Sequence, residues 1–359
     1  MKVVLLAFWF IEYSIELANA LSKTQQVKLI IPEKFFLIFK GLINKDVEVY
    51  SFHLARIRYP SSLFMINKII REINNFNPEV LHYQEGHFLF SLCIPFIKMN
   101  YSLVTTIHDV VCHSGDTEVQ KSPLWRLRCI LVKHSRKFIV HGEFLKRLLV
   151  EKYTIPEDKI YVIPHGEFSI YKRFIREEVV EEKDLILFFG RIWEYKGLRY
   201  LIEAEPLIAQ QIPTIRIVIA GKGEDFDKYE KMMVHKERFI IYNSYISHEK
   251  IAELFQRAAV VVLPYVDASQ SGIIPIAYSF KKPVIATSVG SIPEVVINGK
   301  TGYIVPPKNP RILADAIVKI LQNGDLRKEM GHNGFRMSQG ELSWDNIAVK
   351  TIEVYKNNV

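Results

Sequence analysis

The feature that most constrains this chain is a regular alternation of short apolar runs with longer amphipathic stretches. Two series of runs rich in β-branched residues occur, at 3–7, 27–31, 47–50, 80–83, 103–107, 138–141 and 161–163, and then at 185–189, 215–220, 239–242, 260–264, 283–286 and 302–305. The stretches between them have helical periodicity, for example at 66–73, 125–132, 198–208, 248–258 and 312–321. Two successive βα series predict an α/β chain with two Rossmann-like, doubly wound parallel sheets.

The length of 359 residues suits two domains of about 150–200 residues each. The charge-dense stretch at residues 172–184 has no apolar period and is predicted to be the linker. We therefore expect an N-terminal domain over residues 1–171 and a C-terminal domain over 185–340. The apolar spacing in residues 341–359 predicts a terminal amphipathic helix that packs back on the N-terminal domain.

The N-terminus superficially imitates a signal peptide, with Lys2, an apolar run and an Ala18-Asn19-Ala20 sequence. Glu12 and Glu16 interrupt that run, and the residues around them have the spacing of an amphipathic helix. We therefore interpret this region as the first strand and helix of a βαβ fold. No apolar run reaches the ~18–20 residues that a membrane span needs.

The net charge of +8 is concentrated in residues 1–150, which hold 19 lysines and arginines against 12 acidic residues. The stretch from Lys121 to Arg147 has eight basic residues and one acid. This bias suggests an anionic partner, namely a membrane surface, a phosphate-bearing acceptor or nucleic acid, although a solvated helix face explains it as well.

Only four of the seventeen glycines fall in residues 1–150. Close backbone approach to phosphates needs residues without a Cβ, so the phosphate site is expected in the C-terminal half. There, Gly190-Arg191 follows a predicted strand and Lys196 comes just before a helix. An arginine fork and a lysine point charge suit a diphosphate beyond the carboxyl end of a strand. Asp225-Phe226-Asp227 matches a D-x-D metal motif by letters, but its place at the start of a helix argues against a metal site.

A polar loop follows the next apolar strand, and its sequence is Asp267-Ala268-Ser269-Gln270-Ser271-Gly272. A helix start comes directly after it, where backbone amides can hold an anion. The following strand returns to the same edge of the sheet and leads into Gly290-Ser291-Ile292-Pro293-Glu294.

From Leu185 to Val305 this arrangement resembles the C-terminal domain of retaining GT-B glycosyltransferases of family 4, the glycosyl transferases group 1. The resemblance implies that Gly190, Arg191 and Lys196 hold the donor diphosphate. It implies that amides near Ser271, Gly272 and Ile273 hold the distal phosphate and the sugar, and that Tyr245 and Ile246 border the base. It implies no cofactor and no metal.

The chain departs from the family pattern in the same loop. The family has two glutamates separated by seven residues, and the second position falls on Ile276. Recognition of the ribose hydroxyls by a carboxylate is therefore not expected here. Contact with the sugar would fall to Asp267, Ser269 or Gln270.

The N-terminal half resembles the family more loosely. His108 ends a predicted strand, where the family has a histidine near the donor sugar; a capping or core role is the alternative. The loop after the first strand usually has small residues, but here it is Phe8-Trp9-Phe10. Those aromatic rings would pack in the core, or else stack on a sugar or contact lipid.

The resemblance implies a retaining, metal-independent hexosyltransferase that acts in polysaccharide or glycoconjugate biosynthesis. The donor would be a nucleoside-diphosphate sugar, with UDP slightly favoured over GDP and ADP, and the acceptor a glycan or lipid-linked hydroxyl. We expect a cytoplasmic protein, at the inner membrane face if Lys121 to Arg147 contacts anionic lipid, and no nucleic-acid partner. A catalytically silent GT-B subunit and a non-hydrolysing nucleotide-sugar epimerase stay open as alternatives.

Overall fold

The computed structural model describes residues 1–55, 59, 61–96, 100–110, 134–223 and 226–356. These residues fall into two compact units. The first holds the described residues up to Gly166 together with the helix that begins at Trp344, and the second runs from Glu167 to Ser343.

A parallel sheet forms the centre of the first unit, and seven strands of it lie in the described residues, in the order β3-β2-β1-β4-β5-β6-β7. Helices flank both faces of such a sheet, so its strands are buried and consist of continuous apolar runs. The strands are β1 Lys2–Ala7, β2 Gln26–Pro32, β3 Val47–Phe52, β4 Val80–Gln84, β5 Ser102–Thr106, β6 Lys137–Val140 and β7 Ile160–Val162.

The helices described in the first unit include the terminal one, which follows the whole second unit in sequence. This helix packs against the helix Ile11–Leu21, and the Trp344 and Tyr13 ring centroids lie 5.0 Å apart. The Trp344 ring also occupies the space that a Cβ at Gly166 would need. The helices are Ile11–Leu21, Glu33–Phe39, Ser61–Phe76, Phe88–Cys93, Glu143–Tyr153 and Trp344–Lys356.

The second unit is built on another parallel sheet, with six strands in the described residues, in the order β10-β9-β8-β11-β12-β13. Its strands are β8 Leu185–Phe189, β9 Arg216–Ala220, β10 Phe239–Tyr242, β11 Val260–Leu263, β12 Val284–Thr287 and β13 Gly302–Val305. The prediction of two doubly wound parallel sheets is thereby confirmed.

Seven α-helices of the second unit lie in its described residues: Leu198–Gln211, Asp227–Glu230, His248–Arg257, Ile273–Ser279, Ile292–Val295, Pro310–Gln322 and Gly324–Gln339. The sequence did not predict Gly324–Gln339, because its composition is polar and rich in glycine. Gly331 and Gly334 explain this composition. A Cβ at Gly331 would stand 2.1 Å from the Lys281 carbonyl oxygen, and one at Gly334 would stand 2.4 Å from the Tyr278 ring.

The stretch at residues 172–184, predicted to be the linker, lies within the second unit. Its carboxylates account for this placement. Glu181 pairs with Lys282 Nζ at 2.6 Å and with Arg327 Nε at 3.2 Å. Glu182 pairs with Arg257 Nε at 2.6 Å. The charged residues that suggested a linker therefore bind the segment to the rest of the second unit.

Several expectations from the sequence lie wholly or partly outside the described residues. They are the helix at 125–132, the basic stretch up to residue 133 and the first aspartate of the D-x-D motif, Asp225. Within the described part of the chain, no helix is long and apolar enough to cross a membrane.

Candidate functional site

The strand order of the second sheet reverses direction between β8 and β11. In doubly wound sheets, ligands bind beyond the carboxyl ends of the strands at this reversal. Gly190 and Arg191 follow β8, and the polar loop from Asp267 to Gly272 follows β11. The fold therefore brings the predicted Gly190-Arg191 motif and the predicted polar loop to one switch point.

Arg191 and Lys196 carry the positive charge at this edge. Arg191 is exposed and forms no ion pair with a described residue, and its guanidinium lies 5.3 Å from the Trp193 ring centroid. The Lys196 ammonium lies 3.8 Å from the ring centroid of buried Tyr265, a cation–π geometry that holds the lysine stem in place. Burial raises the pKa of Tyr265 to about 12, so the ring stays neutral beneath the ammonium.

Close backbone contact brings the loops of this edge together. Gly221 has φ +149°, and a Cβ there would meet the Gly190 carbonyl oxygen at 1.8 Å. Gly290 has φ +55°, and a Cβ there would stand 1.9 Å from the Ala268 carbonyl oxygen. Only glycine fits such positions, which places the loop after β12 directly against the loop after β11.

Two serine hydroxyls lie where these loops meet. Ser269 and Ser291 are 2% and 1% exposed, and the Ser291 amide donates to the Ser269 carbonyl oxygen at 3.0 Å. Neither Oγ has a hydrogen-bond partner among the described residues, and the same holds for Gln270 Oε1. A buried hydroxyl without a partner costs about 1–3 kcal/mol, so such a cluster at a switch point is typical of a site for a polar ligand.

The remaining predicted residues of the loop are placed as follows. Asp267 and Gly272 are half-buried, and Ser271 Oγ lies 3.3 Å from the Tyr265 hydroxyl and accepts from the Ile273 amide at 3.4 Å. Ile276 is buried within the helix Ile273–Ser279 and offers no polar group.

The segment predicted to border the base follows β10. The Tyr245 ring is 78% exposed, while the neighbouring Ile246 is buried. Asn243 Oδ1 accepts from the Gly223 amide at 3.0 Å and so ties this segment to the loop after β9. An exposed ring on an anchored loop suits stacking against a flat ligand.

The first sheet reverses direction between β1 and β4, and aromatic side chains fill that switch point. Phe8 is fully buried and stacks on His87 with centroids 4.2 Å apart. Trp9 donates from Nε1 to the Gly86 carbonyl oxygen at 3.2 Å and is half-exposed. Phe10 has φ 56° and stacks on His108 with centroids 3.7 Å apart. The loop thus covers the strand ends with rings in place of a phosphate-binding turn.

His108 lies at the carboxyl end of β5 and is 2% exposed. Its Nδ1 lies 3.0 Å from His141 Nε2, and its Nε2 lies 2.9 Å from Gln84 Oε1. Gln84 Nε2 lies 3.4 Å from His82 Nε2, and His82 Nδ1 lies 2.7 Å from the Tyr355 hydroxyl. A buried hydrogen-bonded chain therefore runs from the terminal helix to His108 and on to His141.

The orientation of the Gln84 amide is coupled to the charge of His108. The Ile163 carbonyl oxygen lies 2.9 Å from His141 Nδ1 and can only accept, so a neutral His141 accepts at Nε2 and His108 donates from Nδ1. When Gln84 Oε1 faces His108, His108 Nε2 must also donate, so His108 carries both ring protons and is a cation. When the Gln84 amide is rotated by 180°, its nitrogen donates to His108 Nε2, and His108 is neutral. Burial, followed by the neighbouring histidines, lowers the pKa of His108 well below its usual value, which favours the neutral state.

Sequence reasoning missed several of these residues. His82 and Gln84 lie two residues apart on β4 and Tyr355 lies on the terminal helix, so the hydrogen bonds that connect them to His108 join elements far apart in sequence. In the sequence, Ser291 stands out only as part of a loop. The sequence signal for Ser291 is its position directly after Gly290. Close packing of the backbone at that glycine leaves the Ser291 hydroxyl buried.

Two family models match the chain. The model described as glycosyl transferases group 1 matches residues 151–337, and the model described as Glycosyltransferase Family 4 matches residues 12–166. An uncharacterized glycosyltransferase of Methanocaldococcus jannaschii is 31% identical over 62% of this chain and 60% of that protein. The alpha-D-kanosaminyltransferase of Streptomyces kanamyceticus is 26% identical over 49% of this chain and 46% of that protein. The chain thus spans less than two thirds of the length of either relative.

Among solved structures, HepE of Anabaena in complex with UDP-glucose superposes with a TM-score of 0.74 at 15% identity. The match covers 98% of each chain. At this level of identity the likeness establishes the fold alone, which is the GT-B fold with its two Rossmann-like units.

Proposed function

The chain belongs to the glycosyl transferases group 1, and on that premise we propose that it transfers a sugar from a nucleoside-diphosphate sugar to a hydroxyl group of a glycan or lipid-linked acceptor. The observation that supports this most directly is the grouping at the switch point of the second sheet. Arg191 and Lys196 supply charge for a diphosphate, and the buried hydroxyls of Ser269 and Ser291 lack partners that a sugar or phosphate would supply.

In the proposed reaction, the bond between the anomeric carbon and the diphosphate oxygen breaks while the acceptor oxygen bonds to that carbon. The hydroxyl proton passes to the departing diphosphate. By family resemblance the acceptor approaches from the leaving-group face, which gives retention at the anomeric carbon. Arg191 and Lys196 take up the charge that grows on the diphosphate, and removal of one such group typically costs 10²–10³ in rate. With these two cations in place the reaction needs no metal.

The donor is proposed to be a UDP-hexose. Support comes from HepE, which was solved with UDP-glucose, and from the exposed Tyr245 ring, on which a base can stack. Asp267 and Gln270 join the two serines as groups for the sugar hydroxyls. Transfer would serve polysaccharide or glycoconjugate biosynthesis on the cytoplasmic side of the membrane.

His108 is proposed to act as a positioning residue. Both of its ring nitrogens hydrogen-bond within the protein, and Phe10 covers one face of the ring. In this arrangement its effect on the sugar runs through the loops that it holds at the carboxyl ends of β1 and β4.

A thermal-shift screen against UDP, GDP, ADP and their hexose derivatives tests the proposal, because a ligand that binds the folded state raises its stability. We expect UDP and UDP-hexoses to raise the melting temperature most. NMR of the product made from the best donor then reports the anomeric configuration and separates transfer from epimerisation. If no nucleotide shifts the melting temperature, the proposed donor site is wrong.

A catalytically silent subunit is a second candidate, and buried Ile276 favours it, because the family has a carboxylate at this position. Donor binding without transfer or hydrolysis in the purified protein would support the silent subunit. Turnover by the protein alone would exclude it.

A further inference from the structure

A cavity of about 550 Å³ opens in the first unit at the carboxyl end of β3, against the helix Ser61–Phe76. This volume lies within the range of about 300–1,000 Å³ that is typical of ligand sites. Its floor belongs to the core, since Phe52 and Met65 are buried and the Phe52 ring meets Phe8 edge-on at 5.2 Å. The floor is therefore a fixed apolar surface.

The rim of the cavity exposes large apolar side chains. Phe64 is 61% exposed and Tyr59 is 48% exposed, and Leu63 beside them is also exposed. A smaller depression, of about 280 Å³, shares His53 and Leu54 with the cavity and extends to exposed Leu37. Apolar surface that continues from a buried floor to an exposed rim marks a binding site more strongly than scattered exposed residues do.

The lining distinguishes between two kinds of occupant. Protein sites for glycans rely on carboxylate and amide side chains, which bind the many hydroxyl groups of a sugar. None of the described residues that line the 550 Å³ cavity is an aspartate, glutamate, asparagine or glutamine. An alkyl chain needs no such groups. Five apolar side chains give it a surface, namely Phe52, Leu54, Ala55, Phe64 and Met65, while Ser51, His53, Ser61 and Lys68 add polar groups to the same lining.

Lys68 lines the cavity, and Lys34 lines the smaller depression together with Glu33. The Lys68 ammonium lies 4.6 Å from the Phe64 ring centroid, and the Lys34 ammonium lies 4.4 Å from the Phe35 ring centroid. Both are exposed, and neither forms an ion pair with a carboxylate in the part of the chain that the structure describes. Their charge complements an anionic group at the end of a bound chain.

We propose that this cavity binds the alkyl chain of an amphipathic acceptor and that Lys34 and Lys68 hold its phosphate head. That the bound molecule is the acceptor rests on the proposed transferase function. The binding of an alkyl phosphate does not, so the two can be tested separately.

Calorimetry with octyl, decyl and dodecyl phosphate as free monomers tests the apolar part. We expect affinity to rise about fourfold per added methylene while the chain lies in the cavity. Dodecyl maltoside has the same chain and a neutral head, so we expect it to bind more weakly. Inorganic phosphate has no chain and should not bind measurably.

Two variants test the site itself. Phe64→Gln should weaken dodecyl phosphate about fivefold or more, because it removes the largest exposed apolar side chain at the rim. Lys68→Glu should weaken dodecyl phosphate about fivefold or more but leave dodecyl maltoside unchanged. The matched controls are Val349→Gln, at an exposed apolar position on the terminal helix, and Lys159→Glu, at an exposed lysine elsewhere in the unit; both should bind as the parent does.

The proposal is overturned if monomeric dodecyl phosphate does not bind, or if Phe64→Gln and Lys68→Glu bind it as tightly as the controls do. Binding to phosphatidylglycerol vesicles without binding to the monomer would also overturn it, since the surface would then be a membrane-docking face. Measuring UDP affinity on the same preparations separates the two proposals. Arg191→Ala should weaken UDP binding and leave dodecyl phosphate binding unchanged. Lys68→Glu should weaken dodecyl phosphate binding and leave UDP binding unchanged.

Discussion

His108 Nδ1 and His141 Nε2 lie 3.0 Å apart, in a region where both rings are only 2% exposed. The two rings share one proton between them, and the Ile163 carbonyl oxygen fixes the donor at the other nitrogen of His141. Burial lowers the pKa of both imidazoles, and this favours their neutral forms in the folded structure. Because hydrogen bonds connect these side chains, the connected histidines titrate as one coupled group and not separately.

The first prediction follows from this neutrality. Burial lowers the pKa of His141 to about 4, and it lowers those of His82 and His165 to about 3, against about 6.5 in the unfolded chain. Between these values the unfolded chain binds more protons, so stability is full above pH 6.5 and falls as the pH is lowered toward 4. Each proton that the unfolded chain binds and the folded chain does not contributes a slope of about 1.4 kcal/mol per pH unit.

Melting temperatures measured from pH 7.5 to pH 4.5 check this. Replacing His332, which lies exposed on another helix, with glutamine is the control and should leave the slope unchanged. A melting temperature that stays constant down to pH 5 would contradict the prediction.

The second prediction concerns the hydrogen bond between Tyr355 and His82, at the other end of the same series of hydrogen-bonded side chains. The Tyr355 hydroxyl lies 2.7 Å from His82 Nδ1, and both groups are buried. Tyr355→Phe leaves that nitrogen without its partner and should cost about 1–3 kcal/mol of unfolding free energy. Denaturant titration measures the loss, with Val349→Gln on the exposed face of the same helix as the comparison. Equal stability of the two variants would show that His82 finds another partner.

The third prediction concerns the diphosphate site. Arg191→Ala and Lys196→Ala should each weaken UDP binding about 10- to 100-fold, because a hydrogen bond to a charged group is worth about 1.5–3 kcal/mol. Arg199 provides a control close by, since it is exposed and paired with Glu203 at 3.0 Å. Arg199→Ala should bind UDP as the parent does. Unchanged UDP affinity in both test variants would refute the assignment of the site.

The fourth prediction uses opposite changes in stability and binding. Ser291 Oγ is buried without a partner among the described residues, so Ser291→Ala removes a desolvation cost and should leave the protein as stable or about 1 kcal/mol more stable. The same change should raise the KM for the donor sugar. Ser279→Ala is the contrast, because Ser279 Oγ donates to the Pro275 carbonyl oxygen at 2.9 Å, and its loss should destabilise. A Ser291→Ala protein that is destabilised with normal KM would indicate a purely structural serine.

Most of the fold was predictable because parallel strands buried on both faces appear as short, uninterrupted apolar runs. The run at 239–242, for example, is the strand β10 Phe239–Tyr242. The helix Gly324–Gln339 was missed for an equally physical reason. Its glycines lower helix propensity, but they allow contact with the Lys281 backbone and the Tyr278 ring, which lie far away in sequence.

The candidate site likewise has a part that the sequence predicts and a part that it does not. Arg191 and the polar loop after β11 stand at strand ends, and the doubly wound fold brings such positions together from pattern alone. The environment of His108 is different in kind. It depends on Gln84, His141 and Tyr355, whose approach is decided by tertiary packing, and no spacing in the sequence encodes it.

The docking of the helix Trp344–Lys356 on the first unit has a consequence for biosynthesis. A ribosome completes the second unit, from Glu167 to Ser343, before it delivers the helix that fills the space beside Tyr13 and supplies the hydroxyl for His82. The first unit is thus the first to be translated and the last to be finished. A fragment that stops at Gly166 would be an incomplete domain. A fragment of the first unit that is made for study should therefore have the terminal helix fused to its N-terminus.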